Sequence, residues 1–333
     1  MEDWRADFLG AGFEQRALLA DSGPAGTLVR FVHSAAGRDD GDSARARPAV
    51  QNTALLCDTA LLYVHGWSDY YFNTELAEFA VARGWRFYAL DLPEHGRSLR
   101  PGGRPGYVPS AEHYLESIEA ALDAVEGEGA TRVVLMGHST GGLAVALEAQ
   151  RRPERLSALV LSSPWLVPHG GRTAGRMLEL ALAARATANP DQVIPLPSRG
   201  YFWRAVAREA GGEWDLREDL RPRTAFPIRA GWLYGVLSAQ RELLAGPRIA
   251  IPAVLLASTR SDTGLIWREH MRWRDAVLAI GPMRRAARAV CQSLDELLVE
   301  GGLHDVLLSA PSVRRGAYAR LGAWFDSVLG ASG

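Results

Sequence analysis

Short, unbroken apolar runs alternate with longer stretches of helical spacing from about residue 60 to the end of the chain. The runs at 60–64 (ALLYV), 86–91 (RFYALD), 132–136 (RVVLM), 156–161, 253–257 (AVLLA) and 294–299 read as strands, several of them apolar enough to be buried on both faces. Between them, 72–83, 111–126, 143–152, 276–290 and 311–329 carry the spacing of helices, with Ser110 placed to cap the second. Strand and helix in alternation predict a parallel sheet covered by helices on both faces. The beginning differs: 15–19 and 27–33 flank the turn DSGPAG and predict an antiparallel hairpin. The stretch 35–53 is small, charged and aperiodic, and reads as a loose surface loop. At Pro164 the rhythm breaks. Residues 165–245 hold helical stretches and aromatics with no clear strand, which predicts a helical cap between a core made of 1–164 and 246–333.

Composition narrows the picture. With 333 residues, 47% of them hydrophobic, the chain can bury a large core without disulfide or metal staples. A net charge of −1 supplies no field for recruiting nucleic acid. Every basic residue is arginine, and nothing functional follows from that. Cys57 and Cys291 stand outside any metal-ligating spacing and read as buried thiols. MEDWRADFLG does not look like a secretory signal, and no stretch of about 18 apolar residues is present, so a cytoplasmic location without a transmembrane segment is expected.

Chemistry enters at Gly137-His138-Ser139-Thr140-Gly141, a G-x-S-x-G pattern that directly follows a strand and precedes a helix. In that context the serine sits in a tight turn at a helix N-terminus, where backbone N–H groups favour developing negative charge. Ser139 is therefore the expected nucleophile. The N–H of Thr140 is one expected oxyanion donor, and that of Trp67, in the loop after YVHG, is the other. His65 and His95 read as loop-ordering residues.

A serine nucleophile needs a base, and on this arrangement the order is serine, acid, histidine. His169, His270 and His304 follow Ser139; His304, in GGLHDV between the last strand and the last helix, fits. The other two read as surface or pocket residues. The acid should follow the strand at 253–257, which leaves Asp275 and Asp262. Asp275 lies 29 residues before His304, room for one helix and one strand, whereas Asp262 lies 42 before it, so spacing favours Asp275. Asp305 adjoins His304 and reads as a loop residue.

YVHGW, ALDLPEHGRS, MGHSTGG, PAVLLAS and LHDVLLS, in this order over 60–330, resemble the α/β-hydrolase superfamily, in particular its monoacylglycerol lipase and lysophospholipase-like branch, often grouped with serine aminopeptidases. The resemblance implies an α/β-hydrolase fold with an eight-stranded core sheet, a cap after the sixth strand, and hydrolysis of an ester, thioester or amide without cofactor or metal. Some relatives have a long loop after the seventh strand and an aspartate shortly before Val-Leu, similar to Asp275-Ala-Val-Leu here. The first 53 residues match nothing diagnostic.

The cap region and its neighbours hold Trp165, Trp203, Trp214, Trp232, Trp267 and Trp273. Singly they read as packing; together they favour a small apolar acyl substrate. The run LREDLRPR (216–223) reads as a solvated face. The leading expectation is hydrolysis of a carboxylic ester through Ser139, His304 and Asp275. Alternatives are an aminopeptidase using Glu209, Glu213 and Glu218 to hold an ammonium group, acyl transfer or cyclisation on the same residues, and a binding protein without turnover. The sequence is silent on oligomeric state.

Overall fold

The computed structural model describes residues 3–32, 58–195 and 200–330. One sheet runs through it: β1 (Arg5–Ala6), β2 (Phe13–Ala20), β3 (Gly23–Phe31), β4 (Thr59–Val64), β5 (Arg86–Asp91), β6 (Arg132–His138), β7 (Ala158–Ser162), β8 (Ala253–Ser258) and β9 (Leu294–Val299), ordered β1-β2-β3-β5-β4-β6-β7-β8-β9. The first three strands and the β3–β5 pair are antiparallel; all pairs from β5 to β9 are parallel. Among the described residues the sheet therefore has nine strands rather than the expected eight. The extra one, β1, pairs two residues with Gln15 and Glu14, too few to leave any alternation in the sequence.

Period-two geometry splits the core between the two faces of the sheet. On β4, Ala60, Leu62 and Val64 enter one apolar cluster, with α2 (Ala111–Gly127), α3 (Thr140–Arg151), α6 (Ala230–Ala245) and α7 (Ile280–Val290). Leu61 and Tyr63 enter the other, with α1 (Thr74–Ala82) and α8 (Pro311–Leu329). All six β4 residues are buried, which is why that strand reads as an unbroken apolar run. The order reverses at β4, which lies between β5 and β6. Loops leaving the carboxyl ends of neighbouring strands diverge at such a switch and open a crevice.

Between β7 and β8 the chain forms α4 (Gly171–Ala188), α5 (Tyr201–Val206) and α6, with no strand among the described residues. Helix α6, expected within the cap, packs against α2, α3 and α7 as well as α4, so its apolar residues belong to the main core cluster. Ser110 does precede α2 with extended backbone, but its hydroxyl meets His113 Nδ1 at 2.9 Å instead of a backbone N–H. The stretch 35–53 and Cys57 lie outside the described residues. Cys291 is a buried free thiol whose pKa desolvation pushes up to about 12. Among the described residues no helix is long and apolar enough to cross a membrane.

The N-terminal segment is fixed by charge. Arg97 donates to both carboxylate oxygens of Asp7 at 2.6 and 2.8 Å, to Asp91 Oδ2 at 2.8 Å and to the Tyr71 carbonyl at 3.0 Å. The Arg97 side chain is 2% exposed and both carboxylates are fully buried. Removing one partner of such a set strands buried charge, so Arg97→Met is expected to lower unfolding free energy by about 3–5 kcal/mol. Urea unfolding of the two proteins checks this; a loss below about 1 kcal/mol would contradict the assigned burial.

Candidate active site

Ser139 occupies the turn from β6 into α3 with φ 54° and ψ −115°, a conformation that L residues rarely adopt. The turn is tight enough that a Cβ on Gly141 would run into the carbonyl oxygens of Val64 and His65 at the end of β4. Glycine at that position lets the start of α3 lie against the neighbouring strand, and the packing holds the serine in its strained geometry.

Three strand ends meet there. Ser139 Oγ lies 3.1 Å from His304 Nε2, and His304 Nδ1 lies 2.9 Å from Asp275 Oδ2. The other Asp275 oxygen accepts the N–H groups of Val277 and Leu278 at 2.8 and 2.7 Å. Asp275 is fully buried and His304 is 3% exposed. In a neutral imidazole this arrangement puts the proton on Nδ1, where it donates to Asp275, and leaves Nε2 free to accept from the serine hydroxyl. Asp275 reaches the end of β8 because the loop folds back on itself. Its N–H donates to Arg260 O and its carbonyl accepts from Asp262 N, both at 2.9 Å, forming a parallel bridge between Ser261 and Asp275.

Asp262 is committed elsewhere. It accepts from the Gly264 N–H at 3.0 Å and pairs with His270 and Arg268 within its own loop. The His270 hydrogen bond is the largest cause holding its carboxyl down at about 2. Among the described residues, no hydrogen bond or ion pair joins it to His304.

The expected oxyanion donors flank the serine. Thr140 is the first residue of α3, so its N–H has no partner one turn earlier in the helix. Trp67 follows Gly66, where a Cβ would stand only 3.1 Å from Ser139 Cβ. The Trp67 indole donates to Gly106 O at 3.1 Å. Beside this loop, His65 uses both ring nitrogens: Nδ1 lies 2.6 Å from Gly66 O, and Nε2 accepts the Leu92 N–H at 3.0 Å. That is the loop-ordering role expected for it. His95 is buried with Nδ1 at 2.8 Å from Pro93 O. His169 stands against the Trp165 ring at 5.4 Å.

Several neighbours were not singled out from the sequence. His138, inside the serine motif, packs edge-on to His304 at 4.7 Å and is 1% exposed. Phe202 on α5 meets the same imidazole at 5.5 Å, an approach that no local pattern announces. Arg221, expected on a solvated face, is instead 4% exposed. It pairs with Asp69 at 3.4 Å and lies 4.3 Å over the Phe202 ring. The charged residues around it in the 216–223 run do face solvent, which is why composition pointed the wrong way for this one side chain. Asp305 is buried, accepts the Leu307 N–H at 3.0 Å and has its carboxyl pushed up to about 7, first by desolvation and then by Asp69.

A family model described as serine aminopeptidase, S33, matches residues 57–264. Phospholipase YtpA of Bacillus subtilis (strain 168) is 33% identical over 109 residues, 32% of this chain and 40% of that protein. The 1-acylglycerol-3-phosphate O-acyltransferase ABHD5 of Sus scrofa is 37% identical over 81 residues, 24% of this chain and 22% of that one. The chain thus spans less than half the length of these curated relatives. The crystal structure of a monoacylglycerol lipase from Paleococcus ferrophilus is similar with a TM-score of 0.60 at 20% identity, covering 80% of this chain and 94% of that one. At that identity the likeness is one of fold.

Burial lowers the pKa of His95 to about 3 and that of His138 well below its ordinary value. Both rings are therefore neutral in the folded chain. The unfolded chain takes up protons below pH about 6.5 that the folded chain refuses, so each histidine withdraws stability as pH falls. Asp305 acts with the opposite sign: its raised carboxyl withdraws stability as pH rises from about 4 towards 7. A variant comparison cancels that contribution. Between pH 7.5 and 5, His95→Gln is expected to lose about 2 kcal/mol less unfolding free energy than the parent. Urea titrations at the two pH values measure the difference; equal losses would mean His95 is not held neutral.

Proposed function

The chain belongs to the serine aminopeptidase S33 family, and from that premise we propose that it is a serine hydrolase of the carboxylesterase and lipase type. The observation that carries the proposal is the unbroken hydrogen-bonded path from the buried carboxylate of Asp275 through His304 to Ser139 Oγ. His304 Nε2 takes the hydroxyl proton as Ser139 attacks the ester carbonyl, and Asp275 keeps the imidazole in the required tautomer and stabilises the imidazolium that forms. The N–H groups of Thr140 and Trp67 receive the developing oxyanion. His304 then returns the proton to the departing alcohol, leaving the acyl group on Ser139. A water activated by the same imidazole releases the acid. The helical stretch 165–245 acts in this reading as a cap that shapes the substrate pocket, and the substrate is a small molecule with an apolar acyl group. The cytoplasmic location rests on the sequence alone.

An aminopeptidase reading finds less support. Glu209 and Glu218 are both paired with Arg223, and Glu213 with Arg314, so each already faces an arginine. Acyl transfer uses the same residues and differs only in whether water or an alcohol meets the acyl-enzyme.

Intact-protein mass after exposure to a small fluorophosphonate tests the assignment. One adduct is expected on the parent and none on Ser139→Ala. Asp275→Asn should slow labelling by at least tenfold, whereas Asp262→Asn should stay within about threefold of the parent. A folded parent that takes no label would overturn the hydrolase assignment, and slow labelling confined to Asp262→Asn would overturn the choice of acid.

A further inference from the structure

Three indoles form a continuous platform beside Ser139. Trp232, 2% exposed on α6, lies beneath and backs the other two. Trp67 stacks on it with ring centroids 4.7 Å apart and planes 26° from parallel; Trp165 leans on it at 6.3 Å and 40°. Both outer tryptophans are half-buried, and both lie in segments next to the serine turn. Trp67 follows the glycine that approaches Ser139 Cβ, and the Trp165 N–H donates to the Ser139 carbonyl at 2.9 Å. Two of the rings are pinned: Trp232 Nε1 donates to Tyr114 Oη at 2.9 Å, and Trp67 Nε1 to Gly106 O at 3.1 Å. A platform fixed this way loses little freedom when a ligand settles on it.

The side of the site it occupies follows from proton transfer. The leaving alcohol collects its proton from His304 Nε2, so it departs next to that ring. Among the described residues His304 meets Phe202 and His138 in aromatic contact, whereas the platform rings meet each other and His169. With the leaving oxygen facing that ring, the acyl group is the carbonyl substituent left for the tryptophan side. Aliphatic chains gain from any apolar wall in proportion to area, but rings gain further from offset or tilted contact with other rings.

Resting on the serine-hydrolase reading above, we infer that Trp67, Trp232 and Trp165 form an acyl subsite selective for aromatic acyl groups, so that the preferred substrates are esters of aryl-substituted carboxylic acids rather than of straight-chain fatty acids. Trp165 is the specificity-determining ring, being the outer indole that does not also supply an oxyanion N–H.

The test holds the leaving group constant. 4-Nitrophenyl esters of 3-phenylpropanoic, 3-cyclohexylpropanoic and octanoic acids present acyl groups of similar apolar bulk that differ in aromatic character. For the parent enzyme, kcat/KM for the phenyl ester should exceed that for the cyclohexyl and octanoyl esters by roughly three- to tenfold. Trp165→Phe should keep most of that ratio. Trp165→Leu should abolish it by lowering kcat/KM for the phenyl ester more than for the octanoate; thermal unfolding identifies a variant that has failed to fold, and the parent ratio stands without it. A parent that labels with fluorophosphonate and cleaves octanoate as well as the phenyl ester overturns the aromatic subsite alone. A Trp165→Leu enzyme that keeps the preference overturns the role of that ring. A folded parent that neither labels nor turns over any of the three esters overturns the hydrolase reading, and the subsite with it.

Discussion

A fully buried carboxylate that, among the described residues, forms no ion pair with an arginine holds the candidate site together. Taking Asp275 out of water is unfavourable unless every lone pair finds a donor. Here two backbone N–H groups, from Val277 and Leu278, satisfy one oxygen and the His304 ring satisfies the other. The consequence reaches well beyond a single hydrogen bond. Asp275 closes the long loop after β8, and His304 stands in the loop after β9, so the contact ties two strand ends together. Either partner without the other would leave a buried polar group unmatched, and that makes the imidazole orientation a property of the fold rather than of one flexible side chain.

Ser139 is held by opposite means. Its backbone sits at positive φ, a conformation that persists only where surrounding structure over-determines it. Strand β6 runs into it with every residue but the first buried, and α3 leaves it with Gly141 pressed against the end of β4. The Ser139 N–H donates to Ser162 O at 3.0 Å, while its carbonyl accepts from Trp165. Stored strain on one side and a satisfied buried charge on the other fix the 3.1 Å approach of hydroxyl to imidazole, and neither depends on the substrate.

Much of this was legible in the sequence, because buried parallel strands write themselves as apolar runs. The strand expected at 86–91 matches the buried β5 at both ends, and 294–299 matches β9, an edge strand of which only Val299 is fully buried. Ser139, His304 and Asp275 were expected by motif and order, and the structure brings the three together. What could not be read has specific causes. The two-residue β1 has no period to detect. The expected hydroxyl cap at Ser110 was displaced by a local contact with His113, which only coordinates reveal. Arg221 lies in a run whose other charges face water, so its burial is set by where the insert meets Asp69 and not by its neighbours in sequence. Phe202 reaches His304 from α5, across about a hundred residues of chain, and leaves no local trace.

The insert between β7 and β8 is tied into the core. Its second half is fastened to the two core loops that carry the site. Phe226 N–H donates to Ser68 Oγ at 3.0 Å, Arg217 N–H to Tyr70 Oη at 3.1 Å, and the Trp214 indole to Leu308 O at 2.9 Å. Arg221 adds a buried cation opposite Asp69. Lifting this half would strip hydrogen bonds from several groups at once and leave one charge buried without its partner, a loss of several kcal/mol. Helix α4 is different: it shows Met177, Leu178 and Leu180 to solvent and meets the rest of the fold mainly through α6. Rearrangement of the insert is therefore far easier at α4 than around Phe202. The side of the site next to His304 keeps its shape even where α4 moves.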